Sequence, residues 1–135
     1  MKSIISDDLN YGIEINVIPR VFSFGDSKFT CTINFYTIVG SLVYQIISND
    51  IELSNFIDSI ETYLSESNFN ELYFYFQTLD NQLKYKCVEI CKVDNCVYLK
   101  LYDYINYQLI LIASVKMNRS IYDLLDILYK EIDIL

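Results

Sequence analysis

SNDIELSNFIDSIETYLSES, residues 48–67, decides the fold. Its apolar residues Leu53, Phe56, Ile57, Ile60 and Leu64 fall at offsets 0, 3, 4, 7 and 11, which gathers them on one stripe of an α-helix, whereas a strand would split them between its two faces. Asn49 stands before the stripe with Glu52 three residues on, a capping-box spacing that marks the helix start. Sixty-eight residues further along, Ile121, Leu124, Leu125, Leu128 and Ile132 repeat the offsets behind Asn118-Arg119-Ser120, with Ser120 and Asp123 again at capping-box spacing. Each helix has one face to bury.

The chain ahead of both helices alternates with period two. Lys28 to Thr37 sets Phe29, Cys31, Ile33 and Phe35 against Thr30, Thr32, Asn34 and Tyr36; Ser41 to Ser48 sets Val43 and Ile47 against Leu42, Tyr44 and Ile46. The shift of 68 lays Phe29, Cys31 and Ile33 on Val97, Leu99 and Leu101, and Val43 and Ile47 on Leu111 and Val115, so each half reads strand, strand, helix. Between the halves, Glu71 to Thr78 and Leu83 to Val93 flank a turn at Leu79-Asp80-Asn81-Gln82. A change of phase at Cys87-Val88 reads as a β-bulge or as burial of both faces. Asp94-Asn95 is a hairpin turn, and Ile105-Asn106 turns the chain again. Tyr107 to Lys116 is apolar on both faces, which predicts a central strand. Tyr11 to Phe24 is interrupted by Pro19 and reads as an edge strand or two short ones before a turn at Gly25-Asp26-Ser27. Residues 1–10 read as a flexible lead-in. The predicted class is α+β, one domain over 1–135, with a single antiparallel sheet of about six strands, both helices packed on one face, and a pseudo-repeat ββα-ββ-ββα.

Composition narrows the function. Ten Lys and Arg against 18 Asp and Glu give a net charge of −8. Phosphate contacts dominate affinity for nucleic acid, so DNA, RNA and anionic membrane are poor partners and a basic protein is the favoured one. No signal peptide precedes the fold, and the apolar run Leu109 to Ala113 is far too short to span a bilayer, which places the expected site of action in the cytoplasm. Cys31, Cys87, Cys91 and Cys96 are then reduced thiols; their spacing contains no C-x2-C pair and the chain has no His, so no metal or other cofactor is expected. Without His, acid and base roles fall to carboxylates or perturbed Cys, Lys or Tyr. Asp58 with Glu61, and Asp123 with Asp126, lie on helix faces turned from the apolar stripes, and Gly12, Gly25 and Gly40 are isolated, so no phosphate loop exists. The chain is expected not to be an enzyme.

If the helices cover the face of Phe29, Val43, Leu99 and Leu111, the other face of the sheet carries Tyr36, Tyr44, Tyr73, Tyr75, Tyr98 and Tyr102, interleaved with Thr30, Thr32, Asn34, Gln77 and Lys100. Tyrosine offers a large apolar area with a polar tip and is enriched at interfaces, so these six are the candidate partner-binding residues. The same tyrosines also serve a sheet as cross-strand pairs.

The order of elements resembles a known family. Paired strands, a helix with the Leu53/Phe56/Ile57/Ile60 spacing, three strands and then LILIASVKMNRSIYDLLDILYKEID, residues 109–133, look like the small immunity proteins of bacterial polymorphic toxin systems, in particular the WapI-like group. The likeness covers residues 28–133, with Asn118-Arg119-Ser120 in place of a more Asp-rich linker. It implies a cytoplasmic inhibitor that binds a cognate, basic toxin and blocks it without catalysis. Two other readings share the charge: a phage-encoded inhibitor of host defence, of the antirestriction or anti-CRISPR type, and a structural homodimer joined through the tyrosine face. Monomer or homodimer is left open.

Overall fold

The computed structural model describes residues 2–19, 28–66, 70–76 and 85–134. The expected strand from Val21 to Phe24, the turns at Gly25-Asp26-Ser27 and Leu79-Asp80-Asn81-Gln82, and Gln77 lie outside the described residues.

The described elements run in the order β1 (Lys2–Ile5), β2 (Tyr11–Pro19), β3 (Phe29–Thr37), β4 (Leu42–Asn49), α1 (Asp50–Ser65), β5 (Glu71–Phe76), β6 (Tyr85–Val93), β7 (Cys96–Ile105), β8 (Gln108–Lys116) and α2 (Ser120–Ile134). The α+β antiparallel class is as expected, but the strands form two four-stranded sheets, β1-β2-β3-β4 and β5-β6-β7-β8, not a single sheet of about six. Each sheet is a meander followed by its helix, so the repeating unit is ββββα. The larger unit arises from two places. Residues 2–5, expected as lead-in, form β1 and pair with β2 from Lys2↔Ile15 to Ile5↔Gly12, with Ile4 packed on the core. The hairpin of β5 and β6 is the first half of the second unit, not an insert between two ββα units.

The sheets stay separate because of how β4 lies. It approaches both β5 and β8, the two edges of the second sheet, and its Tyr44 reaches the strands between them, so β4 runs across that sheet instead of extending it. The face that β4 turns inward is Tyr44, Ile46 and Ser48, the opposite of the expected Val43 and Ile47. Polar atoms on the inward face explain the reversal, since a buried polar group is tolerated once bonded. The Tyr44 hydroxyl donates to the Tyr102 carbonyl at 2.5 Å, beside the register shift between Leu101 and Tyr102 in the β7–β8 ladder. The Ser48 hydroxyl is bonded to the Asn49 carbonyl and the Glu52 carboxylate, both at 3.1 Å. Burial, aided by the nearby Asp103 charge, pushes the Tyr44 phenol far above its ordinary value, so it stays a neutral donor. Tyr44→Phe keeps the ring and removes that donor. It should cost about 1 kcal/mol in urea unfolding; an unchanged midpoint would mean that the Tyr102 carbonyl has another donor.

In the second sheet the central strands are β6 and β7, and β8 is an edge, contrary to the expectation from its apolar sequence. Cys87 to Cys91 are buried on both faces of β6, and its ladders to β5 and β7 keep register throughout, so the phase change there is two-sided burial and not a bulge. The turns Asp94-Asn95 and Asn106-Tyr107 have positive φ at both positions, as tight hairpins of right-twisted strands require.

Both helix stripes are buried as expected: Leu53, Phe56, Ile57 and Ile60 in α1, and Ile121, Leu124, Leu125 and Leu128 in α2. Asn49 caps α1, its side chain accepting the Glu52 N–H at 2.8 Å. α1 lies close to β3, β4 and also β5 of the other sheet, while α2 lies close to β1 and β2, and the hydroxyl of Tyr129 on α2 donates to Glu61 on α1. One apolar cluster contains residues of both sheets and both helices. Among the described residues, no helix is long and apolar enough to cross a membrane.

Candidate protein-binding face

Register places the outer face of the second sheet in rows. Residues directly opposite each other in a sheet point the same way. Glu71 therefore stands beside Cys91 and Tyr98; Tyr73 beside Glu89 and Lys100; Tyr75 beside Cys87 and Tyr102; and Tyr85 beside Tyr104. The short side chains Cys87 and Cys91 fall on the middle strand β6, with Tyr73 and Tyr75 on β5 and Tyr102 and Tyr104 on β7 to either side. Rings from the two flanks meet over β6, Tyr73 and Tyr102 6.3 Å apart between centroids and Tyr75 and Tyr104 5.8 Å, while Tyr85, on β6 itself, lies 6.1 Å from its cross-strand neighbour Tyr104. Cys87, Glu89 and Cys91 are buried beneath them although this face carries no helix.

Glu89 is the polar centre of the face. It is only 3% exposed and accepts the Tyr102 hydroxyl at 2.6 Å. Burial, reinforced by the Glu89 charge, pushes the Tyr73 phenol up to about 12, and Tyr102 is raised by burial, then by its hydrogen bond to Glu89 and the Glu89 charge. Glu71 is also raised above its ordinary value, first by its hydrogen bond to Glu89 and then by repulsion from it, while Lys100 pulls the other way. At neutral pH the face therefore presents neutral phenols as donors, and rigid rings already held in contact.

Of the six expected residues, Tyr73, Tyr75, Tyr98 and Tyr102 are brought together here, with Tyr73 and Tyr75 the most exposed. Tyr44 is not among them: it is 2% exposed in the core, held there by its bond to the Tyr102 carbonyl. Tyr36 belongs to the first sheet, opposite Gly12, on the side of β3 that carries the half-buried Thr30 and Thr32 and the buried Asn34. Tyr85, Tyr104 and Glu89 were not expected in the face. The signal for Tyr104 was present, because the alternation Tyr98, Lys100, Tyr102 simply continues to it; Glu89 shares parity with Cys87 and Cys91.

The face offers little reactive chemistry. All four cysteines are free. Burial pushes the Cys87 thiol up to about 11 and Cys31, in the first sheet, up to about 12, so neither is a thiolate near neutral pH. Among the described residues no three His, Cys, Asp or Glu side chains are placed to hold a metal ion. No protein-family model matches the chain, and no curated protein matches it in sequence.

Proposed function

We propose that this chain is a non-catalytic inhibitor of the immunity type, acting in the cytoplasm, that captures a cognate basic toxin on the tyrosine face of its second sheet. The observation that carries the reading is that face: rings of β5, β6 and β7 in tilted and edge-on contact across neighbouring rows around the buried Glu89, with Tyr73, Tyr75 and Tyr85 exposed. Pre-packed tyrosines lose little rotamer freedom on binding and are the residues that most often dominate interface energies. The net charge of −8 speeds encounter with a cationic partner. Immunity in particular is supported by the likeness to WapI-like proteins over residues 28–133. A phage protein that mimics DNA would call for a row of exposed acids, whereas here Glu89 is buried beneath tyrosine.

The test begins with the gene beside this one. A toxin-like domain encoded there, once purified, should bind the chain and lose its activity. Tyr73→Ala combined with Tyr75→Ala should weaken that binding at least tenfold, about 1.4 kcal/mol, with an unchanged circular dichroism spectrum. Unaltered affinity in the double variant, or a neighbourhood without a toxin gene, would sink the reading.

A further inference from the structure

We infer that the chain pairs with a second copy of itself along β8. This strand is the last of the second sheet, and among the described residues no strand pairs with its outer side. β4 lies close to β8 and the Asp7 N–H bonds the Lys116 carbonyl at its end, yet the first half of the strand stays exposed. Gln108 to Ile112 are exposed on both faces, because the chain beyond the register shift projects past the core, whose last residues on this strand are Ala113 and Val115. An exposed edge offers unpaired N–H and C=O groups, and proteins usually guard such an edge with lysine, proline or a covering helix. This segment contains no lysine or proline and is entirely apolar after Gln108.

Charge selects the occupant. Tyr104 to Val115 is an unbroken run without a charged side chain in a chain that is 21% charged and carries −8. A basic partner would be held by acids, and this strip has none. Two copies, which repel elsewhere, can approach along a neutral strip. Antiparallel pairing about a twofold axis near Ile110, the middle of the free segment, sets Leu109 opposite Leu111 and Gln108 opposite Ile112, with no charge buried. The strip is also open: Leu111 is 52% exposed, Ile110 46% and the adjoining Tyr107 92%. An added strand joins through the backbone ladder, and the apolar side chains of the two copies meet across the seam. Strands add in the plane of the sheet, so the tyrosine face stays open and the pairing stands independently of toxin capture.

Sedimentation of the full chain up to about 100 μM tests the pairing, since mass action favours the dimer there. The wild type should sediment at twice the 15.9 kDa chain mass. Ile110→Lys puts a charge at the centre of the strip on a side chain already in solvent, and should yield a monomer with unchanged circular dichroism; Leu111→Lys is the second variant should the first not fold. A monomeric wild type at the highest concentration, or a dimer that survives both lysines, would overturn the inference.

Discussion

Phe56→Ala should lower the unfolding free energy by ~3–5 kcal/mol, the largest stability loss expected of any single substitution discussed above. The ring is 1% exposed, and its centroid lies 5.3 Å from that of Phe74 and 4.9 Å from that of Phe76, which themselves sit 4.8 Å apart. Removing it deletes one member of an aromatic trio and leaves a void among groups held by strand backbone, which cannot collapse to fill it. The position matters as much as the volume. Phe56 belongs to the helix of the first unit, whereas both its ring partners belong to β5 of the second. Loss of the contact should therefore weaken both units together, seen as one cooperative transition in urea with a lower midpoint and an unchanged slope. A separate early transition, with the remainder unfolding as in the wild type, would show that the units melt independently. A loss under about 1 kcal/mol would show that the trio does not join them.

The helices were legible because their signal is local. Five apolar residues at helical spacing and a cap at Asn49 need no knowledge of partners; the first four of each stripe are buried and the fifth, Leu64 or Ile132, is half-buried, in step at the shift of 68. Tyr63 lies outside the stripe yet is buried, because its hydroxyl donates to the Asn70 carbonyl at 3.0 Å, a contact invisible to hydropathy. The strands were legible in number only where apolar alternation was strong. β1 is short, and Ile4 is the apolar side chain it packs on the core, too little pattern to separate a strand from a tail. β8 runs the other way: its apolar residues predict burial on both sides, but four of them in sequence, from Leu109 to Ile112, face water at an edge. Alternation alone gives β4 the wrong phase because the partner that satisfies Tyr44 on the inward face, the Tyr102 carbonyl, lies 58 residues away. The tyrosine face followed from parity along β5 and β7, which was right, and included Tyr44 and Tyr36 only through the assumption of one continuous sheet. Parity is a property of a strand; which sheet the strand joins is not.

Asp7→Ala should cost about 2 kcal/mol at neutral pH, the upper end for loss of a helix N-cap, although the residue lies 113 positions from the helix it serves. One carboxylate oxygen accepts the Arg119 N–H at 2.8 Å; the other accepts the Ser120 N–H at 2.9 Å and the Ser120 hydroxyl at 2.5 Å. These are orphan donors at the start of α2, where the helix dipole also favours a negative charge. The Asp7 N–H in turn donates to the Lys116 carbonyl at 2.9 Å, so the turn after β1 is fastened to both the end of β8 and the start of α2. Burial opposes the charge on Asp7, but the bonds from Ser120 and Arg119, with the Arg119 charge, outweigh it and hold the carboxyl below its ordinary 3.8. A depressed folded value fixes the sign: the stabilisation is complete above 3.8, where the unfolded chain is also ionised, and fades as acid protonates the folded carboxylate below it. The gap between wild type and Asp7→Ala should thus hold steady from pH 7 to roughly pH 4 and close below that. Asp7→Asn should recover part of the loss at pH 7, since it keeps an acceptor without the charge. A gap that stays constant down to about pH 2 would assign the effect to packing and remove the carboxylate from the account.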